Sequence, residues 1–400
     1  MRQLQVASLA DVCLLVTDGT HDTPKRVDEG FPLIKAKEIV GGAIDFDSCD
    51  QISETEHLRV IARSKPEYGD TLFAHIGASL GEAALVKTHR PFSIKNIALF
   101  KPNPDVIDGC YLYYLVISPE FQDLAKNTKT GSAQPFLSLG HLRSHRIHFH
   151  ERLEDQRRIA YILSAYDDLI ENNLRRIKIL EEIAQNLYRE WFVKFRFPGH
   201  ANVRMVDSPL GKIPEGWEVV TLGELVNIPK GKNITKKTIV PGDVPVVAGG
   251  IAPAYYHNAA NTRNPVITIS ASGANAGFVN LYYHDVWASD CSVIDLSATK
   301  HVYYFYLLLK DRQYEVTRLQ RGAAQPHVYP KDLMALDALS VPEEILEFFA
   351  RNIGPIFKMI KNMKEKNKNL HQTRDLLLPK LISGELDISE LEIDTGKEAA

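Results

Sequence analysis

The sequence predicts an α+β fold in which two β-rich domains are joined by two long helices that pack as an antiparallel coiled coil, with approximate two-fold symmetry. The first observation is an internal repeat, because Gly131–Pro135 (GSAQP) returns as Gly322–Pro326 (GAAQP), an offset of 191 residues from 131 to 322. The second is that each copy is followed by a long segment with apolar residues at heptad spacing. A long heptad pattern needs a partner helix, and each of the two segments supplies one for the other.

The repeat extends well beyond this loop. Gly77 and Gly81 correspond to Gly273 and Gly277, and they follow β-rich runs such as Val266–Ser270. Each copy then continues with a helix rich in Tyr and Leu, the Gln-Pro loop, and a last short strand that alternates apolar and polar residues. The first copy is longer, and its extra segment lies between the opening and the glycine pair.

The heptad segments predict one helix from about Glu151 to Phe192 and another that starts near Pro342 and whose end is marked by Pro379 and Gly384. In the first, the seam residues are Ile159, Leu163, Tyr166, Ile170, Ile177, Leu180, Ala184, Leu187 and Trp191. In the second, they are Phe349, Ile353, Ile356, Ile360, Met363, Leu370, Arg374, Leu377 and Leu381. Asn173 and Asn367 interrupt the seams, and they either set the register of the pair or are solvated edges. The alternative to pairing is that each helix folds back on its own domain.

These patterns divide the chain into six segments. We expect a first β-rich domain at 1–150, a first helix at 151–195, a linker at 196–215, a second β-rich domain at 216–341, a second helix at 342–387 and a tail at 388–400.

Bulk composition is typical of a globular protein. The chain has 400 residues, 44% of them hydrophobic, and a net charge of −3. No apolar run is long enough to span a membrane, and the first residues lack the apolar stretch of a signal peptide, so we expect a cytoplasmic protein. The small negative charge argues only weakly against a nucleic-acid partner, because charge can be segregated and a partner can neutralise phosphates.

Known catalytic motifs are missing from the sequence. It contains no GxxxxGK[ST] phosphate loop, no GxGxxG after a strand, and no Asn/Asp-Pro-Pro-aromatic signature of an amino-methyltransferase. The four cysteines are far apart and lack zinc spacing. His141, His145, His148 and His150 are interleaved with arginines, which favours a polar or basic surface over a metal site. We therefore expect no catalytic residue, no metal and no cofactor bound by this chain.

Polar and basic loops are the better candidates for function. The loop "PKGKNITKKT" carries four lysines, which suits contact with a phosphate backbone. The matching opening of the first copy, "TDGTHDTPKR", carries short polar and basic groups that can reach bases or phosphates. The Gln-Pro loops are shared by both copies, which favours a structural role, although glutamine can also bind adenine. The candidate DNA-binding residues are Thr20, His21, Lys25, Arg26, Lys35, Lys37, Ser79, Lys95, Gln134, Lys230, Lys232, Lys236, Lys237, Ser272, Asn275 and Gln325.

The chain resembles a known family, the specificity subunits of Type I restriction-modification systems. Ala160–His200 is similar to the central spacer of that family, and Asn367–Ile388 to its distal spacer. Gly211–Leu225 (GKIPEGWEVVTLGEL) resembles the usual entry to the second target recognition domain, and Asp18–Pro24 (DGTHDTP) resembles a first-domain opening. The resemblance covers essentially the whole chain.

The resemblance implies a non-catalytic DNA-recognition subunit. Each target recognition domain would read one half of a bipartite, asymmetric site in double-stranded DNA, and the spacer helices would fix the unread gap. Two methyltransferase (modification) subunits and restriction/translocase subunits would dock on the chain. Those partners would use S-adenosylmethionine, ATP and Mg. The competing interpretations are a coiled-coil scaffold that does not recognise DNA and a fused methyltransferase fragment, and the missing methyltransferase signature disfavours the latter.

Overall fold

The computed structural model describes residues 4–129, 135–322 and 325–388. Within that part of the chain, no helix is both long and apolar enough to cross a membrane. The chain divides into two compact units: unit 1 comprises Met1–Glu171 and Asn367–Ala400, and unit 2 comprises Asn172–Lys366. Each unit therefore contains one β-rich domain and one part of each long helix.

Unit 1 is built on two four-stranded sheets and several helices. The first sheet has the order Cys13–Asp18, Ala98–Pro102, Thr71–Phe73, Ala83–Leu85, all antiparallel neighbours. The second has the order Ser93–Ile94, Phe31–Ile34, Asp50–Ile52, Arg26–Val27. Two-stranded pairs are formed by Leu4–Ser8 with Arg146–His150 and by Ile39–Val40 with Ala43–Ile44. The helices are Leu9–Val12, Ala36–Glu38 (3-10), Glu54–Ile61, Gly109–Ile117, Pro119–Lys129 and Leu139–Ser144.

Unit 2 has smaller sheets with the same general order of elements. Three-stranded sheets have the orders Tyr255–His257, Val244–Val247, Trp287–Ala288 and Val279–Tyr282, Val266–Ser270, Cys291–Ile294. Antiparallel pairs join Glu218–Thr221 to Asp337–Ser340 and Met205–Ser208 to Gly211–Pro214. The helices are His200–Asn202 (3-10), Leu222–Leu225, Val302–Asp311, Gln313–Arg318 and Pro330–Met334. The predicted linker at 196–215 thus contains a β-hairpin.

The internal repeat of the sequence is matched by equivalent hydrogen bonds in the two units. Gln122 donates its side-chain amide to the carbonyl oxygen of Gly81 at 2.9 Å, and Gln313 makes the same bond to Gly277 at 2.8 Å. Both glycines have positive φ, the left-handed region that glycine tolerates best. The two units therefore share one glycine turn held by one glutamine, although their sequences differ around it.

The two long helices are close to the predicted segments. The first spans Leu153–Tyr188 and continues as a π-helix over Arg189–Val193. The second spans Glu343–Ile382, and Gly384 with φ +71° follows its last turn, as is common after helix ends.

Within unit 1 the two long helices run antiparallel. Asp167 pairs with Arg374, and further along the first helix the carbonyl oxygen of Ile170 accepts a bond from Asn367 at 3.3 Å. Rising numbers on one helix therefore meet falling numbers on the other. Asn367 is buried, so it is not a solvated edge, and it bonds across the pair as a register-setting residue would.

The helix pair of unit 2 is also antiparallel and mostly apolar. Trp191 packs on Phe349 with ring centroids 5.3 Å apart, and Glu181 pairs with Lys364 at 3.4 Å. The buried seam continues through Ile353, which is 1% exposed. The predicted antiparallel pairing of the long helices is thus confirmed in each unit.

Candidate nucleic-acid interface

In unit 1 the candidate loop 18–24 leaves the end of the strand Cys13–Asp18. A side chain at Gly19 would collide with the carbonyl oxygen of Ile94, so only glycine allows the chain to pass here. The backbone N–H of Thr20 then donates to the same carbonyl at 3.1 Å. The loop is therefore anchored at its first residues.

Lys95 holds the tip of this loop. Its ammonium group donates to the carbonyl oxygens of His21 and Asp22 at 3.1 and 2.8 Å and to the Thr23 hydroxyl at 2.7 Å. Burial lowers the pKa of Lys95, and the nearby Lys35 lowers it further. The predicted DNA contact Lys95 thus has an observed role in shaping the loop.

Two contacts of the Asp18 carboxylate also hold the loop. Asp18 is buried and pairs with Arg63 and with His21 Nε2 at 3.0 Å. His21 Nδ1 also lies 2.9 Å from the side-chain oxygen of Asn96, a residue with positive φ. Sequence reasoning missed Asp18, Arg63 and Asn96, because nothing in the local sequence marks the Asp18–Arg63 and His21–Asn96 contacts, which join residues more than forty positions apart.

Most of the predicted cations of unit 1 are already paired. Arg26 and Lys35 both contact the carboxylate of Asp50, and Lys37 pairs with Glu38 at 3.1 Å. Lys25 is exposed, and no acidic side chain of the described residues pairs with it. Among the predicted cations of this loop region, Lys25 is thus the most available for a ligand.

The glycine turn that carries Ser79 lies beside the loop. The buried imidazole of His75 has Asp18 and His21 among its electrostatic neighbours, and burial lowers its pKa. Ser79 is half-buried in the turn, where its carbonyl oxygen accepts the N–H of Glu82 at 2.9 Å. The predicted residue Gln134 lies outside the described residues.

The lysine loop of unit 2 starts from an equivalent glycine. A side chain at Gly231 would collide with the backbone of Ala288 and Ser289. The Lys232 N–H donates to the carbonyl oxygen of Ala288 at 2.9 Å, and the indole of Trp287 donates to the Lys232 carbonyl at 2.8 Å. These bonds fix the loop backbone and leave its lysine side chains pointing outward.

Three of these lysines have no acidic partner among the described residues. Lys232, Lys236 and Lys237 are exposed, and Lys236 lies 5.6 Å from the centre of the Tyr255 ring. Lys230 is less available, because it lies 3.7 Å from a carboxylate oxygen of Asp290. The loop therefore presents uncompensated positive charge to an anionic partner.

The remaining candidates of unit 2 lie around the second glycine turn. Ser272 donates its hydroxyl to Asp290, the same carboxylate that faces Lys230, so these two predicted residues are brought together. Asn275 is half-buried in the turn, and Gln325 is exposed on the loop that pairs with it.

The histidines near the end of the first domain occupy separate structural positions. His148 lies 2.6 Å from Glu120, while His150 is buried and contacts the carbonyl oxygen of Leu381 at 2.9 Å. Across residues 4–129, 135–322 and 325–388, no group of three or more His, Cys, Asp or Glu side chains is arranged to hold a metal ion.

The chain matches a known sequence family along most of its length. The profile of the Type I restriction modification DNA specificity domain matches residues 1–183 and 214–348. The specificity subunit of the Type I restriction enzyme MjaIX from Methanocaldococcus jannaschii is 30% identical over 400 residues, covering 90% of each chain. The HindI specificity subunit from Haemophilus influenzae is 22% identical over 424 residues, covering 84% of this chain and 90% of that one.

A solved structure shows the same fold. The crystal structure of a Type I restriction-modification S subunit from M. genitalium aligns with a TM-score of 0.58 and 16% identity over 97% of both chains. Fold and sequence profile therefore agree.

Proposed function

Because this chain belongs to the family of Type I restriction-modification specificity subunits, which recognise DNA and are not catalytic, we propose that it reads a bipartite, asymmetric site and directs partner subunits to it. One unit reads each half-site. The chain determines which DNA sequence is bound, and the partner subunits carry out catalysis.

A single observation carries this proposal. The two units repeat one frame, in which Gln122 holds Gly81 and Gln313 holds Gly277, but they carry different loops next to that frame. A shared frame with different loops suits two readers that dock alike and read different bases. Residues that contact phosphate position the duplex, and residues at base edges specify the sequence.

The two loops support different roles in this proposal. The exposed lysines of unit 2 suit phosphate contact, because flexible cations neutralise the backbone without reading bases. The loop 18–24 of unit 1 is fixed by Lys95 and Asp18, and a fixed backbone suits base reading, which depends on geometry. Thr20 is a side chain that it presents, whereas both ring nitrogens of His21 already contact Asp18 and Asn96.

The proposed partners are two modification subunits and, in the restricting complex, restriction/translocase subunits. Tyr161 and Leu169 of the first long helix are 47% and 53% exposed, and with Ile162, Ala165 and Tyr166 they line an open apolar recess of about 300 Å³. An exposed apolar surface of this kind is typical of a protein contact. The partners use S-adenosylmethionine, ATP and Mg, and this chain binds none of them.

The experiment is a DNA mobility shift with the purified chain, alone and with its modification subunit. We expect specific retardation of a DNA fragment that carries the methylated motif of the host, and native mass spectrometry should show two modification subunits per chain. A chain that assembles with partners but never discriminates between DNA sequences would be a scaffold instead. Methyl transfer by the chain alone would contradict the non-catalytic assignment.

A further inference from the structure

A cavity of about 220 Å³ lies in unit 1 outside the loops described above. The helix Glu54–Ile61 and the segments 65–68 and 88–92 form its lining. Unit 2 has no helix between 226 and 272, a range that the structure describes throughout. The helix Glu54–Ile61 thus belongs to the extra segment of the first repeat. The cavity is therefore specific to the β-rich domain of unit 1, which is the first reader in the proposed function.

One wall of the cavity is aromatic and open to a ligand. The rings of Tyr68 and His89 stack with centroids 4.9 Å apart and planes inclined by 16°. Tyr68 is 61% exposed, so much of its ring remains uncovered although it is already held in place. An exposed and pre-positioned ring of this kind can pack against the sugar of a nucleotide in duplex DNA, where contacts to sugar and phosphate position the protein.

Glu67, the acidic residue of the cavity lining, already has two cationic partners. Glu67 pairs with Lys65 at 2.7 Å and with Lys101 at 2.9 Å. Hydrogen bonds from these two ammonium groups, Lys65 first, hold the pKa of Glu67 at about 2. The carboxylate is therefore charged and satisfied, and it offers little repulsion to an incoming anion.

Arg90 supplies positive charge that remains available. Its backbone N–H donates to the Thr88 hydroxyl at 3.0 Å, and its guanidinium lies 5.4 Å from the centre of the Phe46 ring. Within the described part of the chain, no acidic side chain pairs with Arg90. A guanidinium fixed by an aromatic ring and without a carboxylate is well suited to bind a phosphate.

The cavity and the candidate reading loop share one helix. His57 lines the cavity and stacks on Phe31 with ring centroids 4.1 Å apart. Arg59 of the same helix pairs with Asp22 of the loop at 3.5 Å. The cavity is therefore about one helix diameter, roughly 10 Å, from the loop, a distance that a nucleic-acid strand bridges easily.

We propose that this cavity binds one nucleotide of the DNA backbone beside the first half-site, with its phosphate on Arg90 and its sugar against Tyr68. The inference rests on the proposed DNA-reading function and adds a backbone contact that fixes the duplex against the first reader. A contact of this kind strengthens binding to all sequences and does not itself read bases.

The test uses the full chain assembled with its modification subunits. Arg90→Ala should weaken binding to cognate and non-cognate DNA alike by about tenfold and reduce the slope of log affinity against log salt by about 0.9. Tyr68→Leu should weaken binding without changing the salt slope. Arg152→Ala removes another exposed arginine, one that pairs with Glu154, and it should leave both quantities near wild type.

Phosphate ethylation interference identifies the contact directly. In the wild-type complex, ethylation of one phosphate beside the first half-site should block binding, and this interference should disappear with Arg90→Ala. If wild type discriminates between DNA sequences while Arg90→Ala and Tyr68→Leu behave like Arg152→Ala, the proposed function stands and the nucleotide site is wrong. The site is also wrong if the cavity binds inorganic phosphate but Arg90→Ala leaves DNA affinity and the interference pattern unchanged. If wild type discriminates no sequence, both proposals fall.

Discussion

Asp167 of the first long helix accepts a hydrogen bond from the guanidinium of Arg374 of the second, and both side chains lie within unit 1. The same carboxylate accepts a hydrogen bond from the Tyr114 hydroxyl at 2.6 Å. Tyr114 belongs to the β-rich domain, so one carboxylate joins the helix pair to the first reader. Asp167 and Arg374 are 18% and 15% exposed, which makes this a partly buried ion pair.

Removal of the arginine should destabilise the chain. Arg374→Ala leaves Asp167 partly buried with one hydrogen-bond partner fewer, and we expect the free energy of unfolding to fall by about 2 kcal/mol after allowance for the residual exposure. Urea unfolding measures the change. Arg152→Ala, an exposed arginine paired with an exposed Glu154, should change it by less than about 0.5 kcal/mol. Equal effects of the two variants would show that the Asp167 contact is not stabilising.

The helix seam can be tested with two leucines of one helix. Leu163 is fully buried, whereas Leu174 is 55% exposed. Leu163→Ala should cost about 3 kcal/mol of unfolding free energy, because it removes apolar contacts and leaves a cavity. Leu174→Ala should change it by less than about 0.5 kcal/mol. A small effect at Leu163 would contradict the packing of the two long helices in unit 1.

The lysine loop should contribute to DNA affinity through charge alone. Lys236→Ala should weaken binding to every sequence and lower the salt slope by about 1, as expected for one lost phosphate contact. Fluorescence anisotropy at several salt concentrations measures both quantities. Lys126→Ala removes an exposed lysine that already pairs with Asp123 in unit 1 and serves as the charge control. A change in base preference with Lys236→Ala would instead indicate direct reading by this loop.

The carboxylate of Glu67 predicts a pH dependence with a definite sign. Its pKa falls from an ordinary 4.5 to about 2 in the folded chain, because Lys65 and Lys101 donate to it. A depressed acid pKa stabilises the fold fully above pH 4.5, and that stabilisation is lost as the pH falls towards 2. Wild type should therefore exceed Glu67→Gln in unfolding free energy at pH 7, and the difference should shrink at pH 3. A difference independent of pH would contradict this origin.

The architecture could be predicted from the sequence because repeats and heptads are visible in residue spacing alone. The offset of 191 residues between the Gln-Pro loops and the spacing of residues such as Leu163 and Ile353 are visible without coordinates. Both are visible in the structure, since the glycine turns match and the apolar seam residues are buried or half-buried. The start and end of the first helix differ by a few residues, because capping and the π-helical end depend on tertiary contacts.

The site was predicted only in outline, because side-chain pairing is set by distant residues. Lys35 was a candidate DNA-binding residue, but Asp50 lies beside it once the second sheet forms. Lys95 likewise holds a loop more than seventy residues away. Arg90 gave no motif at all, and the only signal was the extra length of the first repeat. The sequence shows which charged side chains are present, and the fold determines which of them remain unpaired.

The central claim is that two units of one chain read two half-sites independently. The most direct measurement is methylome sequencing of a host that expresses the complex with residues 216–341 replaced by the equivalent domain of a relative. One half of the methylated motif should change, while the other half stays as in wild type. Simultaneous change in both halves, from a complex that still methylates DNA, would contradict independent reading by the two units.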